Sequence, residues 1–252
     1  ESENNTKYRV YAIVAPAIGS QFTDVKVEQV INGIEKIGFY HAVEVALGAD
    51  IVSCHEAEEF ANTITERQWM TSSCCPAFVK YIQTSYPELM EHVSGTVSPM
   101  IAIARLLRSV EENCKIVFIG PCTAKKMEIK EDDLKGDVDY VLTFEELQAI
   151  LDAMEIDLSQ CEETSLDNAS YFGRLFARSG GVSEAVQQAI EVKGIDADYR
   201  PIKCNGLDEV VKNLRLAKLN RLPGNFMEGM ACKGGCIGGA ASLSHGPKDV
   251  TE

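Results

Sequence analysis

The sequence predicts an α/β fold with two lobes, each a mostly parallel sheet flanked by helices, and a cleft between the lobes. Short apolar runs rich in strand-forming residues alternate with helical patterns, and this alternation restarts near residue 112. The length of 252 residues fits one large domain or two fused lobes, at about 150 residues per domain. We therefore predict a first lobe over residues 1–112 and a second over residues 113–252.

The first lobe contains three predicted strands, at residues 8–16, 42–47 and 69–72. Its predicted helices cover residues 27–37, 53–66, 77–89 and 100–110. The first helix has its apolar residues on one face, and Ser53 is a candidate N-cap for the second. Pro76 and Pro99 suit the first turns of the last two, because the N–H that proline lacks would be unpaired there. The last helix is apolar almost all round, which predicts that it is buried.

The second lobe contains predicted strands at residues 115–121, 139–142 and 199–204. Thr143 and Glu146 have the spacing of a capping box, which predicts that a helix begins there. Three further helices are predicted at residues 171–178, 182–192 and 207–216. The polar residues 157–169 predict a loop, and residues 225–232 lead into a glycine-rich turn.

Composition and charge exclude several classes of protein and partner. Hydrophobic residues at 45% and charged residues at 25% are typical of globular proteins and exclude a disordered chain. The 24 basic and 38 acidic residues give a net charge of −14, which repels nucleic-acid backbones and anionic membranes. No apolar run reaches the roughly 18 residues of a membrane span, and the polar start ESENNTK predicts no signal peptide. We expect a cytoplasmic protein that binds no nucleic acid.

Nine cysteines carry the clearest chemical signal. An odd number without a secretory signal favours metal or redox chemistry over a disulfide scaffold. Five of them lie in three turns: TSSCCP at residues 71–76, PCTAKK at residues 121–126 and MACKGGC at residues 230–236. The first two turns follow predicted strands, so parallel sheets bring them to the carboxyl edge, where sites form. A nearby helix N-terminus stabilises thiolate, and four thiolates suit an iron–sulfur cluster.

Two other interpretations stay open on spacing alone. A structural zinc also takes four cysteines, but zinc sites usually use two local pairs, and only Cys232 and Cys236 form one here. The thiols could also be unligated buried groups. That structural interpretation applies to the four cysteines outside the turns, which are Cys54, Cys114, Cys161 and Cys204.

The three turns resemble the signatures of the catalytic domain of the iron-only ([FeFe]) hydrogenases. That family carries TSCCP with a following aromatic residue, then PC-x-AKK, then MAC-x-GGC with following glycines. This chain has TSSCCPAF, PCTAKK and MACKGGC-IGG in the same order. Lesser matches extend upstream to Ala15 and Pro16, so the resemblance covers nearly the whole chain.

The resemblance implies a [4Fe–4S] cluster in the cleft, held by Cys75, Cys122, Cys232 and Cys236. Cys236 would also bridge it to a two-iron unit that carries carbonyl, cyanide and a bridging dithiolate. The implied reaction is reversible, 2H⁺ + 2e⁻ ⇌ H₂. Four residues would contact or line the pocket of the two-iron unit: Lys125 as a donor to a cyanide, Met230 as a packing contact, and Ala15 with Pro16.

Cys74 adjoins a ligand, and the resemblance gives it a different role. It would pass protons to the dithiolate amine, which an ordinary cysteine pKa of about 8.5 permits. Ser94 matches the family's relay serine, and Glu56 and Glu59 match its relay glutamates across a short alignment gap. Without the resemblance, the two glutamates would be interpreted as a solvated helix face.

The chain departs from the family pattern around the two-iron unit. Ala17 stands where a cyanide-contacting serine is common, Gly120 where methionine is common, and Met100-Ile101 where glutamine is usual. IGGAAS follows the last cysteine in place of GGGQP. Lost contacts of this kind shift potential or affinity. We therefore hypothesise a divergent member that senses hydrogen at low turnover.

Three functions follow from the resemblance. The leading prediction is a hydrogenase catalytic domain that receives electrons from a ferredoxin-like carrier or attached ferredoxin domain and depends on maturation proteins. The alternative is a hydrogen- or redox-sensing module with the same cofactor and an attached sensory domain. The third is an iron–sulfur assembly protein of the hydrogenase-like group. Those proteins lack the full two-iron pocket, so Cys74 and Lys125 argue against the third function.

Overall fold

The computed structural model describes residues 5–166 and 169–244. Seven strands lie within these ranges: β1 (Val10–Val14), β2 (His41–Glu44), β3 (Met70–Thr71), β4 (Lys115–Gly120), β5 (Tyr140–Thr143), β6 (Pro201–Asn205) and β7 (Phe226–Met230). The same ranges contain nine α-helices: α1 (Val27–Lys36), α2 (Val45–Arg67), α3 (Pro76–Ser85), α4 (Pro99–Val110), α5 (Lys125–Glu128), α6 (Phe144–Ala153), α7 (Tyr171–Leu175), α8 (Gly181–Lys193) and α9 (Leu207–Lys218).

The strands form two sheets. β2, β1, β4 and β5 make a four-stranded sheet in that order, and β3, β7 and β6 make a three-stranded sheet. Every neighbouring pair of these strands is parallel. The predicted α/β class with two mostly parallel sheets is therefore confirmed.

The boundary predicted between residues 112 and 113 does not separate the two sheets. β1 pairs with β4, and β3 pairs with β7, so each sheet contains strands from both sides of that boundary. Parallel neighbours need a crossover connection. After β2 the chain crosses to the second sheet through α2, and it returns to the first sheet through α4.

The long helix α2 begins eight residues before its predicted start. Ser53 is not its N-cap but a buried residue inside it, and its hydroxyl donates to the Asp50 carbonyl at 3.0 Å. The helix packs against α4, α7 and α8. Because several sides are covered, its sequence carries no single apolar stripe to mark where it starts.

Two other helices also differ from the sequence prediction. α3 ends at Ser85 rather than near residue 89, since Pro87 opens a separate 3₁₀ turn over Pro87–His92. α4 is not buried all round, because Val110 is 82% exposed and Leu106 is 45% exposed. The predicted capping box is confirmed: Thr143 and Glu146 each accept the other's backbone N–H.

Two further regions complete the comparison with the predicted elements. The predicted loop over residues 157–169 contains a 3₁₀ turn at Leu158–Gln160, and its residues 167 and 168 lie outside the described residues. In the described ranges, no helix is long and apolar enough to cross a membrane.

The crossing of α2 and α4 joins the regions of the two sheets. A Cβ added to Gly48 of α2 would lie 2.2 Å from the Pro99 carbonyl oxygen and 3.1 Å from the Ile103 Cβ. Only glycine permits this approach, because the nearest atom belongs to backbone that cannot move aside cheaply. The close crossing holds the start of α4 beside the start of α2, next to the carboxyl ends of the strands.

Candidate functional site

One cavity lies where strand ends from both sheets face each other. Its wall includes residues that follow or end four strands: Ala15 and Pro16 after β1, Cys74 and Cys75 after β3, Cys122 after β4, and Met230 at the end of β7. Ligands of parallel α/β sheets bind at this edge. The cavity offers about 80 Å³ to the centres of water-sized molecules, several times the volume that one bound water needs.

The four cysteines singled out by the motifs lie near one another. Cys75, Cys122 and Cys236 line the cavity, and Cys232 belongs to the same turn as Cys236. Every pair among the four is close enough for thiolate charges to interact. Among residues 5–166 and 169–244, no three His, Cys, Asp or Glu side chains are placed to bind one metal ion. Four thiols gathered in this way suit an iron–sulfur cluster, in which each cysteine binds a different iron.

Burial controls the protonation of these thiols. It raises the pKa of Cys75, Cys232 and Cys236. Cys75 is the N-cap of α3, and the backbone N–H groups of Ala231 and Phe78 lower its pKa without outweighing burial. The helix N-terminus alone therefore does not yield a thiolate. A metal cluster would displace these protons, because thiolate is the ligating form.

The cysteine turn, Cys232–Cys236, packs closely against neighbouring backbone. Gly234 and Gly235 have φ values of 81° and 77°, which favour glycine. A Cβ on Gly235 would lie 2.7 Å from the Ala177 carbonyl oxygen. Backbone therefore approaches Gly235 closely, and only glycine permits this. Together with the four-thiol donor set, this turn fits an iron–sulfur cluster held against the cavity.

Lys125 is a buried cation in the cavity wall. Its Nζ lies 2.6 Å from the Glu128 carboxylate and 3.5 Å from the Cys74 carbonyl oxygen. Burial lowers the pKa of Lys125, but Glu128 outweighs burial and the net pKa is raised. Lys125 is therefore charged, and it can donate to an anion bound in the cavity.

The rest of the cavity wall is almost entirely apolar. Its apolar side chains include some from α2, α4 and β4, the segment after α7 and the end of β7: Val45, Met100, Phe118, Phe176, Ala177 and Met230. Ala17 is buried and lines a neighbouring cavity instead. Gly120 leaves room for the Phe118 ring, since a Cβ there would lie 2.6 Å from Phe118 Cζ.

A row of polar groups leads away from Cys74. The carboxylate of Glu56 is fully buried and accepts the Ser73 backbone N–H at 3.1 Å. Its other oxygen has no hydrogen-bond partner among the described residues. Burial raises the pKa of Glu56 to about 8, and burial also raises the pKa of Cys74, whose charge interacts with Glu56.

The same row continues to the surface through Glu59. The Ser94 hydroxyl donates to Glu59 at 2.7 Å, and it also interacts with Glu56. Arg67 donates to the other Glu59 oxygen at 2.9 Å. The structure thus brings all three relay candidates together and adds Arg67, which the sequence did not single out.

Sequence reasoning missed several residues of this region. Glu128 stands three residues after Lys125, and that helical spacing is a signal that could have found it. Phe118 and Arg67 carry no local signal. The four cysteines assigned to structure lie outside the cavity wall: Cys54 is half-buried, and Cys114, Cys161 and Cys204 are buried.

Comparisons with known proteins agree with this geometry. The chain is 26% identical to iron hydrogenase 1 of Clostridium pasteurianum over 88% of its own length and 46% of that protein. It is 28% identical to the periplasmic [Fe] hydrogenase large subunit of Nitratidesulfovibrio vulgaris, covering 92% of this chain and 68% of that one. The chain therefore spans about half of the Clostridium protein.

A second kind of relative also matches. The cytosolic Fe–S cluster assembly factor narfl of Xenopus tropicalis is 24% identical over 86% of this chain and 58% of that protein. Among solved structures, apo [FeFe]-hydrogenase HydA1 from Chlamydomonas reinhardtii has the same fold, with a TM-score of 0.80. It is 22% identical, and the match covers 99% of this chain and 84% of that one.

The family model described as iron only hydrogenase large subunit, C-terminal domain, matches residues 8–240. That match includes the three cysteine-bearing turns, both sheets and the cavity between them. The chain therefore belongs to the iron-only hydrogenase family, of which it carries the C-terminal domain of the large subunit.

Proposed function

We propose that this chain is the catalytic domain of an [FeFe]-hydrogenase, which interconverts protons and electrons with H₂. The observation that carries the proposal is the lining of the cavity, which joins three of the four thiols to an apolar wall that contains a buried cation, Lys125. A [4Fe–4S] cluster alone needs the thiols but no such wall. The two-iron unit, when bound there, supplies the redox centre for 2H⁺ + 2e⁻ ⇌ H₂.

Different side chains would hold the two parts of the cofactor. Cys75, Cys122, Cys232 and Cys236 would hold the [4Fe–4S] cluster, with Cys236 shared by the two-iron unit. Lys125 would donate to a cyanide of that unit, since it is charged and faces the cavity beside Cys74. The apolar wall excludes water, which strengthens this charge-assisted contact.

Protons would pass between the cavity and the surface along the polar row. Cys74 lines the cavity, and Glu56 lies behind it as a carboxyl group that burial keeps protonated below a pKa of about 8. Ser94 donates to Glu59 through its hydroxyl and lies close enough to Glu56 to influence its pKa. Arg67 holds Glu59 at the outer end. Glu56 can hold or release a proton near neutral pH, the Cys74 thiol and the Ser94 hydroxyl can donate a hydrogen bond, and Arg67 orients its neighbour Glu59.

The test is infrared spectroscopy of protein that has been reconstituted anaerobically and maturated. We expect carbonyl and cyanide bands that change when the gas is switched from nitrogen to hydrogen. Cys74→Ala should keep the bands but lower H₂ evolution by about 10²–10⁴-fold, the usual share of one acid–base group. Cys54→Ala is the matched control, because it removes a half-buried thiol outside the cavity wall. Protein that takes up iron and sulfide but never shows these bands would contradict the proposal.

A sensing role is the second candidate, and departures from the family pattern in and near the cavity wall favour it. Ala17, Met100 and Gly120 replace residues that the family uses for contacts or bulk around the two-iron unit. A sensor would show the hydrogen-dependent bands with little turnover. Hydrogen evolution at rates typical of the family would exclude this second candidate.

Iron–sulfur assembly factors are also relatives of this chain, and the polar row distinguishes the two activities. Cluster transfer does not need Cys74, Glu56 or Lys125, whereas hydrogen turnover needs a proton path. For the hydrogenase we further propose a ferredoxin-like electron donor or attached ferredoxin domain, dedicated maturation proteins and a cytoplasmic location. One relative is periplasmic, so fractionation of the native cell would test the location.

A further inference from the structure

The cysteine turn is fixed by one neighbouring stretch of backbone, Ala177–Gly180, which we call the supporting segment. Ser179 N donates to Gly234 O at 3.2 Å, and Ile237 N donates to Ala177 O at 3.1 Å. Between these bonds, Arg178 and Gly235 form an antiparallel bridge. The position of the turn therefore depends on the position of the supporting segment.

The buried carboxylate of Glu228 holds the supporting segment in place. This side chain lies on β7 and is fully buried. One of its oxygens accepts the Gly180 N–H at 2.7 Å, and the other accepts the Ser183 N–H at 2.8 Å. Both amides belong to the start of α8, where the helix dipole favours an anion.

These contacts link β7, the cysteine turn and the supporting segment to one another beside the proposed cluster site. β7 continues directly into the cysteine turn, and the turn pairs with the supporting segment. The hydrogen bonds to Glu228 in turn connect the supporting segment to β7. A second contact acts from the other side, where Gly234 N donates to the Asn205 Oδ1 at 2.6 Å. The carboxylate of Glu228 is therefore part of the frame that sets where Cys236 lies relative to Cys75 and Cys122.

We propose that Glu228 is a positioning residue for the iron–sulfur cluster, acting through the supporting segment on the cysteine turn. This rests on the proposed function, because it requires that the four thiols hold a cluster. Groups that orient metal ligands from behind typically change metal affinity about 10–100-fold when removed. Glu228 differs from the usual case in that it orients backbone rather than a ligating side chain.

The test replaces Glu228 with glutamine, which is nearly the same size. A glutamine has one acceptor oxygen, and its amide hydrogens would face a backbone N–H, so at least one of the two bonds is lost. Asp157→Asn is the control at an exposed carboxylate. Asp157 also accepts a backbone N–H, that of Ser159 at 2.9 Å, at the start of a short helix away from the cavity.

The wild type and both variants are loaded with the [4Fe–4S] cluster alone, without the two-iron unit. We expect Glu228→Gln to lose iron to a chelator about tenfold faster than the wild type and to show shifted g-values in the electron paramagnetic resonance spectrum of the reduced cluster. Asp157→Asn should match the wild type in both measurements. The g-values separate positioning from a loss of stability, which would not move the signal of clusters that remain bound.

The outcomes are distinguishable. A wild type that takes up no iron and sulfide refutes the proposed function itself. A loaded Glu228→Gln with wild-type g-values and release rate refutes only the positioning role, as does an equal change in the control. If circular dichroism shows that the Glu228→Gln apoprotein is unfolded, Glu228→Asp is measured instead by the same criteria. Aspartate keeps both acceptors, but it is one methylene too short to reach both amides.

Discussion

Gly120 and Phe118, which lies in the cavity wall, should behave as one structural unit. A Cβ on Gly120 would lie 2.6 Å from Phe118 Cζ and 2.9 Å from the Ala15 Cβ, which is closer than real Cβ atoms approach. Gly120→Met, the residue common in the family, should therefore overpack the site and destabilise the protein by about 1–3 kcal/mol. For a chain of this size, that corresponds to a melting temperature lower by roughly 2–12 °C.

The pair can be tested by a double-mutant cycle on the apoprotein. Phe118→Ala alone should cost about 3–5 kcal/mol, since the ring is buried. Methionine at residue 120 can enter the space that the ring leaves, so the double variant should be more stable than the sum of single effects by at least about 1 kcal/mol. Denaturant unfolding measures the three changes. Gly19→Ala is the control, because the nearest atom to its added Cβ is at 3.7 Å. Additivity within about 0.5 kcal/mol would refute the reasoning.

Three further predictions concern the buried polar groups. The pKa of Glu56 is raised from 4.5 to about 8, so the stability that its protonated form contributes is complete below pH 4.5 and is lost as the pH rises towards 8. The melting temperature of the wild type should therefore fall relative to that of Glu56→Gln between pH 5 and 8. Parallel melting profiles for the two proteins would contradict this. Lys125→Met should destabilise the apoprotein by about 3–5 kcal/mol because it leaves the Glu128 charge buried and unpaired, whereas adding Glu128→Gln should recover part of that loss in the same unfolding assay. Cys122→Ser should lower the iron and sulfide content after reconstitution to well below that of Cys54→Ala, and equal contents would show that Cys122 is not a ligand.

The sequence was sufficient to predict the fold class and the turns that meet at the cavity. Strand-forming runs before TSSCCP and PCTAKK predicted that both turns leave a parallel strand at its carboxyl end, and β3 and β4 have this position. The order of strands within the sheets was not predictable in the same way. β1 pairs with β4 across about a hundred residues, and a contact of that range leaves no local pattern.

Other parts of the site depend on packing between distant elements. Arg67 lies eight residues after Glu59, beyond the helical spacing that links neighbouring side chains, and the two meet only through the long side chain of the arginine. Glu228 binds the start of α8, 45 and 48 residues away in sequence. Residue 120 is a glycine because the Phe118 ring occupies the space that a Cβ would need, and the sequence alone does not show where that ring lies.

The buried pair of Lys125 and Glu128 bears on which activity the cavity serves. A buried ion pair contributes little net stability, because the desolvation of both charges offsets their attraction. Glu128 therefore does not explain why a lysine lines the cavity, since an apolar pair would hold the wall at least as well. The Lys125 Nζ has three donors, and within the described part of the chain its contacts are with Glu128 and, at 3.5 Å, the Cys74 carbonyl oxygen. A spare donor beside an apolar space suits an anionic ligand bound there, such as a cyanide of the proposed two-iron unit.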